Sequence, residues 1–262
     1  MRPVIALLTD FGTRDHYSGV MKGVVLSLCP DVTVADVTHE LPPHDITAAA
    51  YHLAATYRFF PPGTIFVTVV DPGVGSARRG IAVEAGEWKF VAPDNGVMTL
   101  VLRETPAKTA VELTERRYAR PTISRTFEGR DRFAPAAAWL AKGTSMTALG
   151  RPAHNLVQLD LPVVAETRDG ISGAIVRVDR FGNAVSNIDR KTFERLAAGR
   201  SVVILARGKP VDRLVATYSE IGQGEVCALF GSTDHLEFAA QGASAAEQLA
   251  LSFGAPVVVT RG

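Results

Sequence analysis

The first half of the chain alternates short apolar runs with longer stretches of helical spacing. "VIALLTD" reads as a buried strand, and "HYSGVMKGVVLSLCP" repeats Val20, Val24, Val25 and Leu28 on one helical face before stopping at Pro30. "VTVADVTH" is a second strand, and "DITAAAYHLAATYRFF" a helix with Asp45 as its N-cap. "GTIFVTVVDPG" is hydrophobic almost without a break, the pattern of a strand covered on both faces. "GIAVEAGEWKFVAP" reads as strand, turn and strand, and "DRFAPAAAWLAKG" as a helix ended by Gly143. Strands alternating with helices predict an α/β domain with a mostly parallel sheet flanked by helices.

The rhythm changes after "LGRPAHNLVQLDLPVVAETRDG". From Gly170 onward strands dominate: "ISGAIVRVDRFGNAVSNI", "SVVILARG", "VCALFGS", "HLEFAAQG" and "PVVVTRG" are separated by turn residues, with one or two short helices between them. This predicts a smaller, mostly antiparallel β-domain, with a barrel as its arrangement. The expected organisation is an N-terminal α/β domain over residues 1–160 and a C-terminal β-domain over 170–262, with a proline-bearing linker at about 151–169. No internal repeat or low-complexity tract interrupts this plan.

Composition narrows the function classes. A hydrophobic content of 47% with 21% charged residues is ordinary for a globular protein. A formal charge of +1 leaves no electrostatic footprint for nucleic acid or an anionic membrane. The opening apolar run, Val4 to Leu8, is too short for a signal sequence and ends in Thr-Asp-Phe-Gly. No segment approaches the ~20 apolar residues of a membrane span. Cys29 and Cys227 match neither a disulfide framework nor a zinc spacing, which predicts two buried thiols in a soluble, cytoplasmic protein. Six histidines, at 16, 39, 44, 52, 154 and 235, form no metal-binding pattern, so no metal is expected.

The candidate chemistry lies where apolar runs break. In "VTVVDPGVGSARRGIAV", Gly73 and Gly75 invite a phosphate-loop reading, but the lysine and hydroxyl of a P-loop are missing. The dinucleotide spacing fails as well, and a strand follows instead of a helix. Asp71 is then an acid held at the rim of a sheet, where open α/β sheets keep their ligands. "LTDFGTRDHYSG" places Asp10 in the same way after the first strand. "VAPDNGVMT", "SRTFEGRDRFAP", "VDRFGNAVSNI" and "LFGSTDHLEFAAQGASAAEQL" supply further polar breaks. Each alone has a structural reading as a cap, a turn or a solvated face. No G-x-S-x-G elbow is present, which disfavours a serine hydrolase.

Taken together and in order, "LTDFGTRDHYSGVMKG", "VDPGVGSARR", "APDNG", "TFEGRDRFAP", "DRFGNAVSNI" and "GSTDHLEFAAQGASAA" span the whole chain. This set resembles the S-adenosyl-L-methionine (SAM) hydroxide adenosyltransferases, relatives of the SAM-dependent chlorinases and fluorinases. The resemblance implies a Rossmann-like N-terminal domain, a C-terminal β-barrel domain and a homotrimer whose SAM sites lie between subunits. It further implies that Asp10 holds the ribose hydroxyls and that Asp179 meets the methionine amino group. Phe181 and Asn183 would flank the adenine, Tyr218 would stack on it, and Ser232 would add a further contact. Ala240 and Gly242 fall where backbone groups approach the base.

Asp71 and Arg78 match two members of the family's Asp-Arg-His triad, which positions and activates water. The halogenases carry a tyrosine in place of Asp71 and an inserted loop, for which "AVEAGEWKFVAPDNG" leaves no room. A carboxylate repels incoming halide in a desolvated pocket but accepts a hydrogen bond from water. The family's third member is a histidine, whereas this chain has Glu128. The implied reaction is attack of water or hydroxide on C5′ of SAM, giving adenosine and L-methionine, with SAM as the substrate and no cofactor. Two alternatives stand beside it: a SAM:halide adenosyltransferase, and a SAM- or adenosine-binding protein that has lost turnover through Glu128. Glu128 has an alternative of its own, in which it points into solvent or pairs with Arg125 or Arg130 and takes no part in turnover.

Overall fold

A computed structural model describes residues 2–262, so Met1 of the expected first domain lies outside the described residues. The chain divides into two units, Met1–Leu159 and Asp160–Gly262.

The first unit runs β1 (Val4–Thr9), α1 (Tyr17–Leu28), β2 (Thr33–Thr38), α2 (Ile46–Thr56), β3 (Ile65–Val69), β4 (Gly80–Ala85), β5 (Trp88–Pro93), α3 (Thr99–Glu104), β6 (Ala107–Glu112) and α4 (Ala134–Ala141). Its sheet has the order β2-β1-β3-β5-β4-β6. Period-two alternation divides the apolar side chains of β1 and β3 between two cores. Ile5, Leu7, Ile65 and Val67 join Met21 and Val25 of α1 and the alanines of α4 on one face. Ala6, Leu8 and Phe66 join Ala49 and Leu53 of α2 and Val101 of α3 on the other. Two covered faces explain why these strands read as unbroken apolar runs. Asp45 caps α2 as its spacing predicted, accepting a 2.8 Å hydrogen bond from Ala48 N.

The sheet is mixed. The β2-β1, β1-β3 and β3-β5 pairs are parallel, whereas β4 is antiparallel to both β5 and β6. The reason is local: β4 and β5 are joined by a tight turn at Gly86 (φ +57°), and strands joined by so short a turn must run antiparallel. The stretch read as one helix from Asp131 begins as a π-turn, Gly129–Phe133, and becomes α-helical at Ala134, with Pro135 in its first turn.

The second unit contains β7 (Ala165–Glu166), β8 (Gly170–Val178), β9 (Ala184–Asp189), α5 (Arg190–Ala197), β10 (Val202–Ala206), β11 (Lys209–Pro210), β12 (Val226–Phe230), β13 (His235–Ala240), α6 (Ala245–Leu249) and β14 (Pro256–Arg261). All the strand pairs of its sheet are antiparallel, in the order β11-β10-β14-β8-β9-β13-β12, with β7 also on β8. β8 changes partner along its length. Gly170–Ala174 pair with β14, and Ile175–Val178 pair with β9, so one strand serves two halves of the sheet. The path is open, because β11 and β12 at its ends are not paired with each other among the described residues. Cys29 and Cys227 are buried free thiols. Among the described residues no helix is long and apolar enough to cross a membrane.

Candidate active site

In the first unit the chain passes from β1 to β2 on one side and returns to β3 on the other. The crevice beyond the ends of β1 and β3 is therefore the switch point where ligands bind in open α/β sheets. Asp10 directly follows β1 and Asp71 lies two residues beyond β3. Both line a cavity of about 280 Å³, with Phe11, Tyr17, Phe127 and Glu128. The three rings pack edge-to-face or tilted at centroid distances of 5.3–5.8 Å, giving the cavity an aromatic wall. Sequence reasoning missed these aromatics, although Phe11 adjoins Asp10 and Phe127 adjoins Glu128.

The loop after β3 folds back on itself. Val74 N donates to Asp71 O at 3.2 Å and Ser76 N to Gly73 O at 3.1 Å, which brings Arg78 around to the Asp71 carboxylate. Gly75 adopts φ +77°, and a Cβ there would lie 2.3 Å from the carbonyl oxygen of Arg125. Only glycine lets this loop touch the loop that carries Glu128.

Asp71, Arg78 and Glu128 come together. Arg78 Nε donates to Asp71 Oδ1 at 2.9 Å and to Oδ2 at 3.0 Å, and its Nη2 donates to Oδ2 and to Glu128 Oε2, the latter at 3.0 Å. The side chains are 5%, 11% and 12% exposed for Asp71, Arg78 and Glu128, so water screens their charges little. Burial alone would lower the Arg78 pKa. The hydrogen bonds and charge of Asp71, with the charge of Glu128, outweigh it and push the guanidinium above its ordinary value. Glu128 pairs with neither Arg125 nor Arg130. Arg130 is bonded to the buried Asp131, and the second cation near Glu128 is Arg132, whose Nε lies 3.8 Å from Oε2.

Asp10 accepts a 2.8 Å hydrogen bond from His44 N at Oδ2. Behind it runs a chain that the sequence did not reveal. The Thr9 hydroxyl and His39 Nδ1 are 2.8 Å apart, His39 Nε2 lies 3.0 Å from Asp36 Oδ1, and Lys22 donates to Asp36 Oδ2 at 2.6 Å. Burial would raise the Asp36 pKa, but the bonds from Lys22 and His39 hold it below the usual carboxylate range. His39 O also accepts from Gly12 N at 2.7 Å, so this chain braces both sides of Asp10.

The second unit gathers Asp179, Phe181 and Asn183 in the loop between β8 and β9. Asp179 Oδ1 accepts from the backbone N–H groups of Phe181 and Asn183, both at 2.9 Å, and Oδ2 accepts from the Asn183 amide at 3.1 Å. Gly182 (φ +82°) packs so closely that a Cβ would lie 2.4 Å from Ser244 Oγ. Phe181 is 78% exposed, while Asn183 is buried. Asp179 and Phe181 line a 440 Å³ cavity with Ser244 and Glu247; Tyr218, Ser232, Ala240 and Gly242 do not. Tyr218 follows another course, donating its hydroxyl to Glu237, a buried carboxyl on β13. Burial pushes Glu237 above the usual carboxylate range, although the Tyr218 bond works against the rise, and burial with Glu237 pushes the phenol up. Ser232 is exposed in the turn after β12, Ala240 ends β13, and Gly242 (φ +65°) lies in open space. Among the described residues no group of His, Cys, Asp and Glu is placed to hold a metal ion.

Comparison with known proteins places this geometry in a lineage. The chain is 40% identical over 267 aligned positions to an (R)-S-adenosyl-L-methionine hydrolase of Thermus thermophilus, covering 98% of this chain and 99% of the relative. It is 30% identical to a fluorinase of an Actinoplanes species, covering 99% and 98%. A crystal structure of an uncharacterized conserved protein from Thermotoga maritima matches with a TM-score of 0.93 at 32% identity, covering 98% of this chain and all of that one. Residues 5–150 match the model of the SAM hydroxide adenosyltransferase N-terminal domain and residues 173–258 that of the C-terminal domain, and the chain belongs to the SAM hydroxide adenosyltransferase family.

Proposed function

We propose that the protein hydrolyses S-adenosyl-L-methionine at C5′, releasing adenosine and L-methionine. The observation that carries this reading is the buried Asp71–Arg78–Glu128 cluster on the switch-point cavity. It offers carboxylate oxygens to water where a halide would meet like charge. Relatives named as hydrolases support it. Water attacks C5′ in line with the departing sulfur, and the C5′–S bonding pair passes to sulfur. A cationic sulfonium becomes a neutral thioether, so the leaving group needs neither an acid nor a metal. The carboxylates favour the sulfonium on binding and take up the proton that water loses.

In this reading Asp10 accepts from the vicinal ribose hydroxyls with the carboxylate capacity left by His44. Asp179 addresses the methionine amino group, Phe181 and Asn183 the adenine, and Tyr218 stacks on the base, with Ser232, Ala240 and Gly242 nearby. In the same reading the N-terminal unit is Rossmann-like and the open antiparallel sheet of the second unit is the counterpart of the family's barrel. A cytoplasmic homotrimer would build each site from the first unit of one subunit and the second unit of a neighbour. The exposed Phe181 supports a partner surface there. A monomer by light scattering that still binds SAM tightly would sink this assembly.

The fluorinase relatives keep halide transfer as the competing reading. Purified protein incubated with SAM, with and without chloride, separates the two by chromatography. Adenosine in both arms supports hydrolysis, and a 5′-chlorinated nucleoside appearing with chloride supports halide transfer. SAM binding without either product would make the protein a binder.

A further inference from the structure

Two carboxylates border the cavity, and their surroundings differ. Asp71 is spanned by Arg78, which donates to both of its oxygens in the forked arrangement that guanidinium and carboxylate adopt. Glu128 is held by one oxygen only. Arg78 Nη2 lies 3.0 Å from Oε2 and Arg132 Nε 3.8 Å from the same atom, while Oε1 takes part in neither contact.

Arg132 lies within the motif "TFEGRDRFAP", but the resemblance assigns it no role. It lies four residues beyond Glu128, within the π-turn Gly129–Phe133, where it comes back towards that carboxylate. Its Nη1 donates to Leu113 O at 3.3 Å, which ties the guanidinium to the chain just beyond β6. Its Nε is buried and makes no hydrogen bond, so it acts on Glu128 as a fixed charge. The side chain also lines a second cavity of about 220 Å³, beside Thr114, Glu115 and Arg116.

The geometry points to Glu128, through Oε1, as the group that takes the proton from the attacking water, with Arg132 as a positioning residue that holds Oε2 and Asp71 as the anchor of Arg78. This rests on the hydrolysis reading. The oxygen of water forms a bond to C5′ while the C5′–S pair goes to sulfur. One water proton moves to Oε1 and then to solvent, and the other remains on the 5′-hydroxyl of adenosine. The cation SAM and water thereby become adenosine, methionine and one released proton.

The test is a set of pH–rate profiles for SAM hydrolysis, with SAM affinity by calorimetry for each variant to report the folded state. Glu128→Gln should lower kcat by about 10²–10⁴-fold, the usual value of a positioned base, and abolish the acidic limb while SAM still binds. Asp71→Asn should lose rate but keep the limb, because Glu128 remains. Arg132→Met should lower kcat about tenfold, equivalent to ~1.4 kcal/mol, with little change in SAM affinity. The rate falls as the acceptor takes up protons at low pH. Removing a nearby cation favours its protonated form, so the limb of Arg132→Met should move to higher pH and Arg132→Lys should restore it. A limb that persists in Glu128→Gln and vanishes in Asp71→Asn would overturn the assignment in favour of Asp71. A wild-type profile for Arg132→Met would remove Arg132 from it. No adenosine from the wild-type protein would instead bring down the hydrolysis reading and this assignment with it.

Discussion

Arg78→Met removes the one cation that bridges two nearly buried carboxylates. Methionine fills similar space and keeps contact with the Phe133 ring, which the guanidinium now faces at 5.3 Å, so the change is mainly one of charge. Breaking a buried pair by deleting one partner costs ~3–5 kcal/mol, because the charge left behind is uncompensated. Here two charges are left behind, and with exposures of 5% and 12% neither can turn to solvent, so the upper end of that range applies. The loss should therefore be about 5 kcal/mol. Urea unfolding at one fixed protein concentration would measure it, since association adds to apparent stability. A loss below ~1 kcal/mol would refute the argument that these charges are mutually dependent and unscreened.

Asp10→Ala should weaken adenosine and SAM together by ~1.5–3 kcal/mol, the worth of a hydrogen bond to a charged group, and unchanged adenosine affinity by calorimetry would remove Asp10 from the ribose. Gly75→Ala forces a Cβ onto the carbonyl of Arg125 at φ +77°, so it should cost ~2–4 kcal/mol from left-handed backbone strain and overpacking together; a Tm within a degree of wild type would refute this. Glu237 is pushed upward by burial, so the folded state holds its proton to higher pH than the unfolded chain does, and its contribution to stability falls as pH rises from the ordinary glutamate value through the raised one. Glu237→Gln keeps an acceptor for Tyr218 and should therefore gain stability relative to wild type between acid and neutral pH; thermal melts showing the opposite trend would refute it.

Much of the site was legible because the chain breaks its apolar rhythm abruptly. Asp10 and Asp71 end runs that must be strands covered on both faces, and a polar residue there can only stand at the rim. The reversal of β4 was half legible: Gly86 marked the turn, but the alternation of strands and helices around it favoured parallel pairing. Other features depend on contacts distant in sequence. His39 meets Thr9 because β1 and β2 pair side by side, Asp36 links it to Lys22 of α1, and no local spacing announces that chain. Tyr218 and Glu237 are 19 residues apart and meet across the second unit. The partners of Glu128 were misjudged for a local reason. A helix read from Asp131 onward leaves Glu128 outside it, whereas the helical turn starts at Gly129 and makes Glu128 and Arg132 neighbours four residues apart.

The place of β14 in the second sheet bears on how the protein is made. Pro256–Arg261 lie between β10 and β8, so the last strand in the sequence is an interior one. The sheet of the first unit is complete once β6 ends at Glu112 and its helical cover once α4 ends at Ala141. That unit can fold on the ribosome while the rest is being translated at ~5–20 residues per second. The second cannot. Until β14 emerges, β10 with β11 and β8 with β9 are two ribbons with unpaired edges facing each other, the kind of surface that pairs with a neighbouring nascent chain. Nonsense or frameshift lesions after about residue 250 should therefore be far more harmful than their length suggests, yielding chains with a sound first unit and an aggregation-prone second.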